Sequence, residues 1–170
     1  DVMRVVEIGG GYGNLARIMR LLFPQQTYFI VDLRDSIYYS YVFIRMNFPD
    51  ARTLFVTRDE DLASADEHDF VFVPTEFFDA MKGAQYDLVI NTCSLGEMDQ
   101  AIVDGYMEFI NSKARVRYFY SLNRYGLFNP EVLMPDQANV SVKLDRSWRV
   151  VVWDAVGERG FGRAQRQRQV

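Results

Sequence analysis

The sequence predicts an α/β fold: a Rossmann-like, doubly wound and mostly parallel sheet of about seven strands with an antiparallel C-terminal hairpin. Three observations support this prediction. Short, nearly continuous apolar runs, typical of strands buried on both faces, alternate with segments whose apolar residues recur at helical spacing. A glycine-rich stretch follows the first apolar run. Near the C-terminus, two strand-like runs are separated only by "DRS", which is too short for a parallel crossover.

The first half of the chain predicts two strand and helix pairs. The run "MRVVEI" at 3–8 is the first strand, and apolar residues at helical spacing over 15–22 predict the helix after it. The run "TYFIVDL" at 27–33 is the second strand. Apolar residues over 37–48 predict the second helix, and a proline follows each helix, where helices commonly stop.

The second half predicts further strands and one more helix. Single strands are expected at 52–57, 69–73, 86–92 and 115–122, and we expect one of the first two to be an extra edge strand or a loop. Between the last two, a helix face is formed by Ile102, Tyr106, Phe109 and Ile110. The closing hairpin pairs 139–144 with 148–154.

Composition excludes several classes of protein. With 170 residues and 49% hydrophobic content, the chain is expected to form one domain around one core. No apolar run approaches the roughly 20 residues that cross a bilayer, so we expect a soluble protein without a membrane span. A net charge of −4 argues against a nucleic-acid-binding surface. The single cysteine, Cys93, cannot form an internal disulfide, which favours a cytoplasmic location.

The glycine stretch "EIGGGYG" at 7–13 lies between the first predicted strand and its helix. A glycine-rich turn there lets the backbone approach a ligand closely and directs free helix N–H groups toward it. The dinucleotide fingerprint requires G-x-G-x-x-G, but counting from Gly9 places Asn14 at the third glycine position. Counting from Gly10 places Tyr12 at the second. The spacing therefore argues against a dinucleotide site of this kind.

The stretch fits E-x-G-x-G-x-G instead, with Glu7, Gly9, Gly11 and Gly13 in register. It resembles the first motif of the class I S-adenosylmethionine-dependent methyltransferases, in which the glycine loop passes under the amino-acid half of the cofactor. The resemblance implies S-adenosyl-L-methionine as the cofactor. This ligand has an ammonium, a carboxylate and a sulfonium but no phosphate, so an acid beside a carboxylate-binding turn suits its charges.

Asp32, at the end of the second predicted strand, is the second anchor for a ligand. A carboxylate there can accept hydrogen bonds from both ribose hydroxyls, a geometry shared with dinucleotide folds. Asp32 therefore predicts an adenosine-type ligand, and the first motif selects the cofactor class. Together with the resemblance, the predicted cofactor-binding residues are Glu7, Gly9, Gly10, Gly11, Gly13, Asp32, Leu33 and Asn91.

Later segments narrow the resemblance to a bacterial family described as sugar O-methyltransferases. Its members run from a motif like "VVEIGGGYGNLAR" through "YFIVDL" and "DLVINTCSLGEM" to a strand ending in "LNR", and the match spans residues 4–125. The resemblance implies methylation of a hydroxyl on a sugar or glycoconjugate, so a small-molecule or glycan acceptor is expected. It also implies a substrate-binding role for Asn123, Arg124 and Tyr125.

The two ends of the chain depart from that family. Ordinary methyltransferases carry helices ahead of the first motif, whereas this sequence enters its first predicted strand almost at once. We therefore expect residues 1–156 to form a methyltransferase domain without those lid helices. Residues 157–170 carry four arginines and one glutamate, a local charge of +3 that leaves −7 for the rest, and are expected to form a solvated tail.

Glu97 and Asp99, which follow the predicted strand at 86–92, are the candidate catalytic residues. An attacking hydroxyl must lose its proton, and partial burial would raise the pKa of either carboxyl enough to receive it. His68, the only histidine, precedes its strand and is expected at the opposite edge of the sheet. No metal-ligand spacing is evident, so we expect no metal, and positioning of the reactants should supply much of the rate.

The residues leave other functions open. One is transfer to another small molecule, including aminopropyl transfer, which uses the same fold and a decarboxylated cofactor; an acidic polyamine pocket would favour it, and "NTCSLGEMD" is only modestly acidic. Another is a fragment or degenerate domain that binds the cofactor without turnover. The sequence also leaves assembly into a homo-oligomer open.

Overall fold

A computed structural model of the chain describes residues 2–112, 115–123 and 142–152. Six strands form one sheet in these residues, and every neighbouring pair is parallel. The strands are β1 (Met3–Ile8), β2 (Gln26–Asp32), β3 (Thr53–Phe55), β4 (Phe70–Pro74), β5 (Tyr86–Thr92) and β6 (Val116–Leu122). Their order across the sheet is β3-β4-β2-β1-β5-β6.

Helices cover both faces of the sheet. The α-helices are α1 (Asn14–Leu22), α2 (Arg34–Asn47), α3 (Phe78–Met81) and α4 (Gln100–Asn111). Short 3₁₀ segments are Asp59–Glu67, Thr75–Phe77 and Leu95–Glu97. One apolar cluster joins the sheet to α1 and α2, and the other joins it to α3, α4 and the first 3₁₀ segment. The doubly wound α/β arrangement predicted from the sequence is therefore confirmed.

The alternation of side chains in the central strands produces these two clusters. Val5 of β1 and Tyr28 of β2 point into the α1 and α2 side, whereas Val6 and Phe29 point into the α4 side. All four are fully buried. Strands buried on both faces must be apolar throughout, which explains the continuous apolar runs in the sequence.

The chain reverses direction across the sheet at β1. From β1 the chain proceeds to β2 on one side of the sheet, and it later returns to form β5 on the other side of β1. Glu7 of β1 is therefore flanked by Ile30 of β2 and Ile90 of β5. In open parallel sheets, ligands bind outside the carboxyl ends of the strands at such a reversal. The glycine turn lies at this position.

The structure confirms that one of the two runs predicted at 52–57 and 69–73 is an edge strand. Both 53–55 and 70–74 form strands, so neither of the runs predicted at 52–57 and 69–73 is a loop. The short β3 forms an outer edge of the sheet and pairs only with β4 within the described residues.

The predicted C-terminal hairpin is not present in the part of it that is described. Residues 142–152 contain no strand, and their backbone turns at 146–147. This segment is held by Asn111 of α4, which donates to the carbonyl of Lys143 (2.9 Å) and accepts from the backbone N–H of Asp145 (3.1 Å). Side-chain hydrogen bonds to α4 thus take the place of strand pairing there. Residues 139–141 and 153–154, the domain boundary at 156 and the arginine-rich tail lie outside the described residues.

Among the described residues, no helix has the length and apolar character that spanning a membrane requires.

Candidate functional site

The glycine turn connects β1 to α1 through backbone conformations that favour glycine. Gly9, Gly11 and Gly13 have φ angles of +75°, +55° and +90°. The Gly9 N–H donates to the carbonyl of Val31 in β2 (2.8 Å), and the Gly13 N–H donates to the carbonyl of Gly10 (3.0 Å). The turn is therefore fixed against the end of the neighbouring strand before α1 begins.

The glycines of the turn differ in what surrounds them. A Cβ on Gly9 would lie 2.2 Å from Ser94 Oγ, and one on Gly10 would lie 2.5 Å from Ile30 Cγ2. A Cβ on Gly13 would lie 3.1 Å from Ser40 Cβ of α2. Only at Gly11, among these four, is there open space within 4 Å. Gly9, Gly10 and Gly13 thus allow close packing within the protein, and Gly11 leaves its surface free for a ligand.

Asp32 lies directly beside Gly11. The Gly11 N–H donates to Asp32 Oδ2 (2.8 Å), and the N–H of Leu33 donates to Asp32 Oδ1 (2.7 Å). These two bonds orient the carboxylate at the end of β2, and each carboxylate oxygen retains capacity to accept another hydrogen bond. The Leu33 side chain is exposed at the same edge. The structure therefore brings together Gly11, Asp32 and Leu33.

Glu7 lies beneath the turn and is 2% exposed. Its Oε2 accepts a hydrogen bond from the Tyr28 hydroxyl (3.0 Å) and lies 3.5 Å from the position of a Cβ on Gly10. Burial, and to a lesser extent the charge of Asp32, raise the pKa of Glu7 to about 7, although the Tyr28 hydrogen bond opposes this shift. In this conformation Glu7 would act on a ligand through its charge and through Gly10 rather than by contact.

A hydrogen-bond network joins the ends of β1, β5 and β6. The side chain of Asn91 is fully buried, and its Nδ2 donates to the carbonyl of Ile8 (2.9 Å) and to Ser94 Oγ (2.5 Å). Ser94 Oγ also donates to the Ile8 carbonyl (3.2 Å). Asn123 Nδ2 donates to Asn91 Oδ1 (2.7 Å). The Asn91 side chain thus bonds to groups of the protein itself and connects the carboxyl ends of these three strands.

Cys93 has a backbone conformation that is rare for a residue with a side chain. Its φ is +57°, and its N–H donates to the carbonyl of Leu122 at the end of β6 (2.7 Å). Strained non-glycine residues persist where surrounding contacts hold them, and they cluster at functional sites. Here the strained residue separates Asn91 from Ser94, which both reach the end of β1.

The two candidate catalytic acids lie at this edge, but the structure leaves them exposed. Glu97 is the last residue of the 3₁₀ segment after β5, and Asp99 immediately precedes α4. The partial burial expected for these two side chains is therefore absent in this conformation. Arg124 and Tyr125, predicted to bind substrate, lie outside the described residues. His68 precedes β4 at the amino edge, as predicted.

Three residues that contact or lie near the predicted site residues were not identified from the sequence. Ser94 contacts the glycine turn, and the Tyr28 hydroxyl donates a hydrogen bond to Glu7. The third is Tyr106 of α4, whose pKa is raised to about 12 by burial and, to a lesser extent, by the charge of Asp32. Tyr28 could have been found, because strand alternation places it on the same face as Glu7 across paired strands. The described residues contain no group of three or more His, Cys, Asp or Glu that could hold a metal ion.

No protein-family model and no curated protein matches this chain. Among solved structures, it is similar to the mitomycin 7-O-methyltransferase MmcR, with a TM-score of 0.49 and 13% identity over 76% of this chain and 33% of that one. It is also similar to a protein from Nostoc punctiforme PCC 73102 described as an O-methyltransferase (TM-score 0.47, 17% identity, 67% of this chain and 29% of that one). The pyocyanin biosynthetic protein PhzM is a third (TM-score 0.41, 15% identity, 67% and 28%). This chain therefore spans a third or less of the length of each.

Proposed function

We propose that this chain is an S-adenosylmethionine-dependent methyltransferase domain. The observation that carries the proposal is the 2.8 Å hydrogen bond from the Gly11 N–H to Asp32 Oδ2 at the point where the sheet order reverses. This hydrogen bond joins Gly11, the glycine with open space around it, to the Asp32 carboxylate, which suits ribose hydroxyls. The turn that contains Gly11 does not have the dinucleotide spacing. The chain's own residues therefore fit an adenosine-type ligand whose second half contains an amino acid.

Each part of the site has a distinct role in this proposal. Asp32, oriented by two backbone N–H groups, would accept hydrogen bonds from the ribose hydroxyls. The open surface of Gly11 would lie against the amino-acid half, and the exposed Leu33 side chain would flank the adenosine half. Glu7 would add negative charge beneath the ammonium. When bound, the cofactor supplies a methyl group made electrophilic by its sulfonium.

The proposed acceptor is a hydroxyl of a sugar or glycoconjugate, and the proposed location is the cytoplasm. Resemblance in sequence supports the sugar, with Asn123, Arg124 and Tyr125 as the proposed contacts. Glu97 and Asp99 are the proposed proton acceptors because they follow β5 at the carboxyl edge. Since both are exposed, either would need the bound acceptor to exclude water from around it.

The exposure of Glu97 and Asp99 favours a second candidate function, in which this chain alone binds the cofactor without turnover. Release of S-adenosylhomocysteine in the presence of a panel of sugars separates the two candidates. Turnover that is reduced by Glu97→Gln or Asp99→Asn supports the enzyme and identifies the base. Binding of the cofactor with no release for any sugar supports the second candidate.

Calorimetry with S-adenosylhomocysteine tests the cofactor proposal. Wild-type protein should bind it, and Asp32→Ala should weaken binding by about 30-fold or more, because removing the acceptor leaves two ribose hydroxyls unpaired. Asp79→Ala is the matched control, since Asp79 is an exposed acid of α3 whose ion partner is Lys82. Absence of binding to folded protein, equal affinity of Asp32→Ala, or tighter binding of NAD would contradict the proposal.

A further inference from the structure

The Tyr28 hydroxyl is a buried polar group that has no role in the function proposed above. Tyr28 of β2 is fully buried, and its hydroxyl donates to Glu7 Oε2 (3.0 Å). Burial, and then the charge of Glu7, raise the pKa of Tyr28, so the phenol keeps its proton and remains the donor of this bond. A hydrogen bond of this direction favours the ionised carboxyl over the neutral one.

The sheet gives the Glu7 carboxyl no other stabilisation of its charge among the described residues. Glu7 is flanked in register by Ile30 of β2 and Ile90 of β5, which are apolar. Burial and the charge of Asp32 both raise the pKa of Glu7, and the Tyr28 hydrogen bond lowers it. The ionised form of this carboxyl therefore depends on one hydroxyl group.

The helices on this side of the sheet pack apolar side chains around Tyr28. From α1 and α2, the buried members of this cluster are Ala16, Ile37 and Ile44. Tyr41 of α2 is a titratable side chain packed against the same cluster, and its ring lies against Phe72, with 5.2 Å between the ring centroids. Apart from burial, the groups that act on the charge of Glu7 are thus Tyr28 and Asp32.

Gly10 allows the charge of Glu7 to act at the surface of the turn. A Cβ on Gly10 would lie 3.5 Å from Glu7 Oε2 and 2.5 Å from Ile30 Cγ2, so a glycine lets the turn rest directly on this carboxyl. A charge in a buried environment is screened less than a charge in water, so it acts on a cation that lies on the turn. By reciprocity, a cation on the turn favours the ionised form of Glu7.

We propose that Tyr28 is a positioning residue for the ammonium group of the cofactor: its hydroxyl holds the Glu7 carboxyl ionised and in place beneath Gly10. The inference rests on the function proposed for the glycine turn, and it adds a residue that acts on the ligand through Glu7. The preference for the amino-acid half of the ligand then depends on one buried hydrogen bond. Because a bound ammonium expels the proton that Glu7 otherwise binds, this preference should increase with pH.

The ratio of two affinities isolates this preference. S-adenosylhomocysteine has the ammonium, whereas 5′-methylthioadenosine has the adenosine half without the amino acid. Calorimetry with both ligands on the full chain gives the ratio at each pH. Since the pKa of Glu7 is about 7, the ratio for wild-type protein should rise about eightfold from pH 5.5 to pH 8.5. Glu7→Gln should abolish the rise.

Tyr28→Phe removes only the hydroxyl. Glu7 should then keep its proton to higher pH, so the ratio should be about fourfold lower than wild type at pH 7.5 and equal to it at pH 5.5. Tyr86→Phe is the matched control, because Tyr86 is also buried and its hydroxyl donates to the carbonyl of Met81 (3.2 Å). Its profile should follow wild type, since a lost hydroxyl without effect on Glu7 leaves the pH dependence unchanged.

Proton release on binding provides a second measurement, on wild-type protein alone. In buffers of different ionisation enthalpy at pH 7, S-adenosylhomocysteine should release roughly 0.4 proton and 5′-methylthioadenosine none. Absence of this release, a wild-type ratio independent of pH, or parallel profiles for Tyr28→Phe and Tyr86→Phe would overturn the role of Tyr28 and leave the cofactor site in place. Failure to bind either ligand would contradict the function proposed for the turn, and this inference with it.

Discussion

The two edges of this sheet are built differently. All residues with positive φ in the described part of the chain lie at the carboxyl edge: Gly9, Gly11, Gly13 and Cys93. There, hydrogen bonds connect the ends of four strands through Gly11, Asp32, Asn91 and Asn123. The amino edge has ordinary backbone conformations and ion pairs between side chains such as Arg20 and Asp69.

This difference indicates where the fold has been shaped for a ligand. Positive φ at a residue with a side chain costs roughly 1–3 kcal/mol, and it persists only where the surroundings impose it. Ion pairs between side chains fix the backbone less tightly, and those that reach solvent contribute little to stability. The carboxyl edge is therefore the more constrained side, and changes there should have larger effects than changes at the amino edge or on the outer helices.

Gly9→Ala should have the largest effect on stability. The new Cβ would lie 2.2 Å from Ser94 Oγ and 2.5 Å from Ser94 Cβ, at a φ of +75°. Since rotating the serine cannot remove the Cβ clash, we expect a loss of about 3 kcal/mol or more in the free energy of unfolding. Urea denaturation measures it.

Gly105→Ala is the matched control for this change. Gly105 lies inside α4, and a Cβ there would meet nothing within 4 Å. Alanine in a helix interior should stabilise the protein by roughly 0.5–1 kcal/mol. If both variants shift stability by similar amounts in the same direction, the packing described for Gly9 and Ser94 is wrong.

Glu7→Gln should change how stability depends on pH. Because the pKa of Glu7 rises from 4.5 to about 7 on folding, the native state binds the extra proton between these values. The stabilisation from that proton is complete below pH 4.5 and is lost as pH rises through 7, a total of roughly 3 kcal/mol. Wild-type protein should therefore lose stability relative to Glu7→Gln between pH 5 and pH 8.

Thermal unfolding of both proteins across this pH range measures the difference between them. Glu108→Gln, on the exposed side of α4, serves as the control and should run parallel to wild type. A constant difference between wild type and Glu7→Gln from pH 5 to pH 8 would show that Glu7 does not titrate in this window.

Asn123→Ala should have the smallest of these effects. It removes the 2.7 Å hydrogen bond to Asn91 Oδ1, but it also removes the buried Asn123 Oδ1, which has no hydrogen-bond partner among the described residues, so we expect a loss of about 1 kcal/mol. Asn47→Ala, which removes an exposed hydrogen bond with Arg17, should cost less than about 0.5 kcal/mol. Equal losses in the two variants would mean that the network at the carboxyl edge adds no stability beyond that of a surface contact.

The parts of the fold set by local pattern could be predicted from the sequence, and those set by tertiary contacts could not. Continuous apolar runs identified β1, β2 and β5, and the position of Asp32 at a strand end placed it beside the turn. The hairpin prediction failed over 142–152 because strand propensity does not reveal that Asn111 holds this segment by side-chain hydrogen bonds.

The same limit applies to the site. Spacing showed that Glu7 belongs to the turn, but not that its carboxyl points into the core toward Tyr28. Nor does the sequence show that Gly9 packs on Ser94, since this contact joins the end of β1 to the segment after β5, far apart in the chain. The contact also depends on the unusual backbone conformation of Cys93, the residue before Ser94. Exposure of Glu97 and Asp99 likewise depends on how the 3₁₀ segment after β5 folds.

Mapping S-adenosylhomocysteine by nuclear magnetic resonance tests the central claim, that the carboxyl edge is the cofactor site, most directly. On titration into the ¹⁵N-labelled chain, the backbone amides of Gly11 and Leu33 should shift most, since both donate to Asp32. The side-chain amide of Gln26 at the amino edge should not move. Saturable binding that shifts Gln26 and leaves Gly11 and Leu33 unchanged would contradict the account.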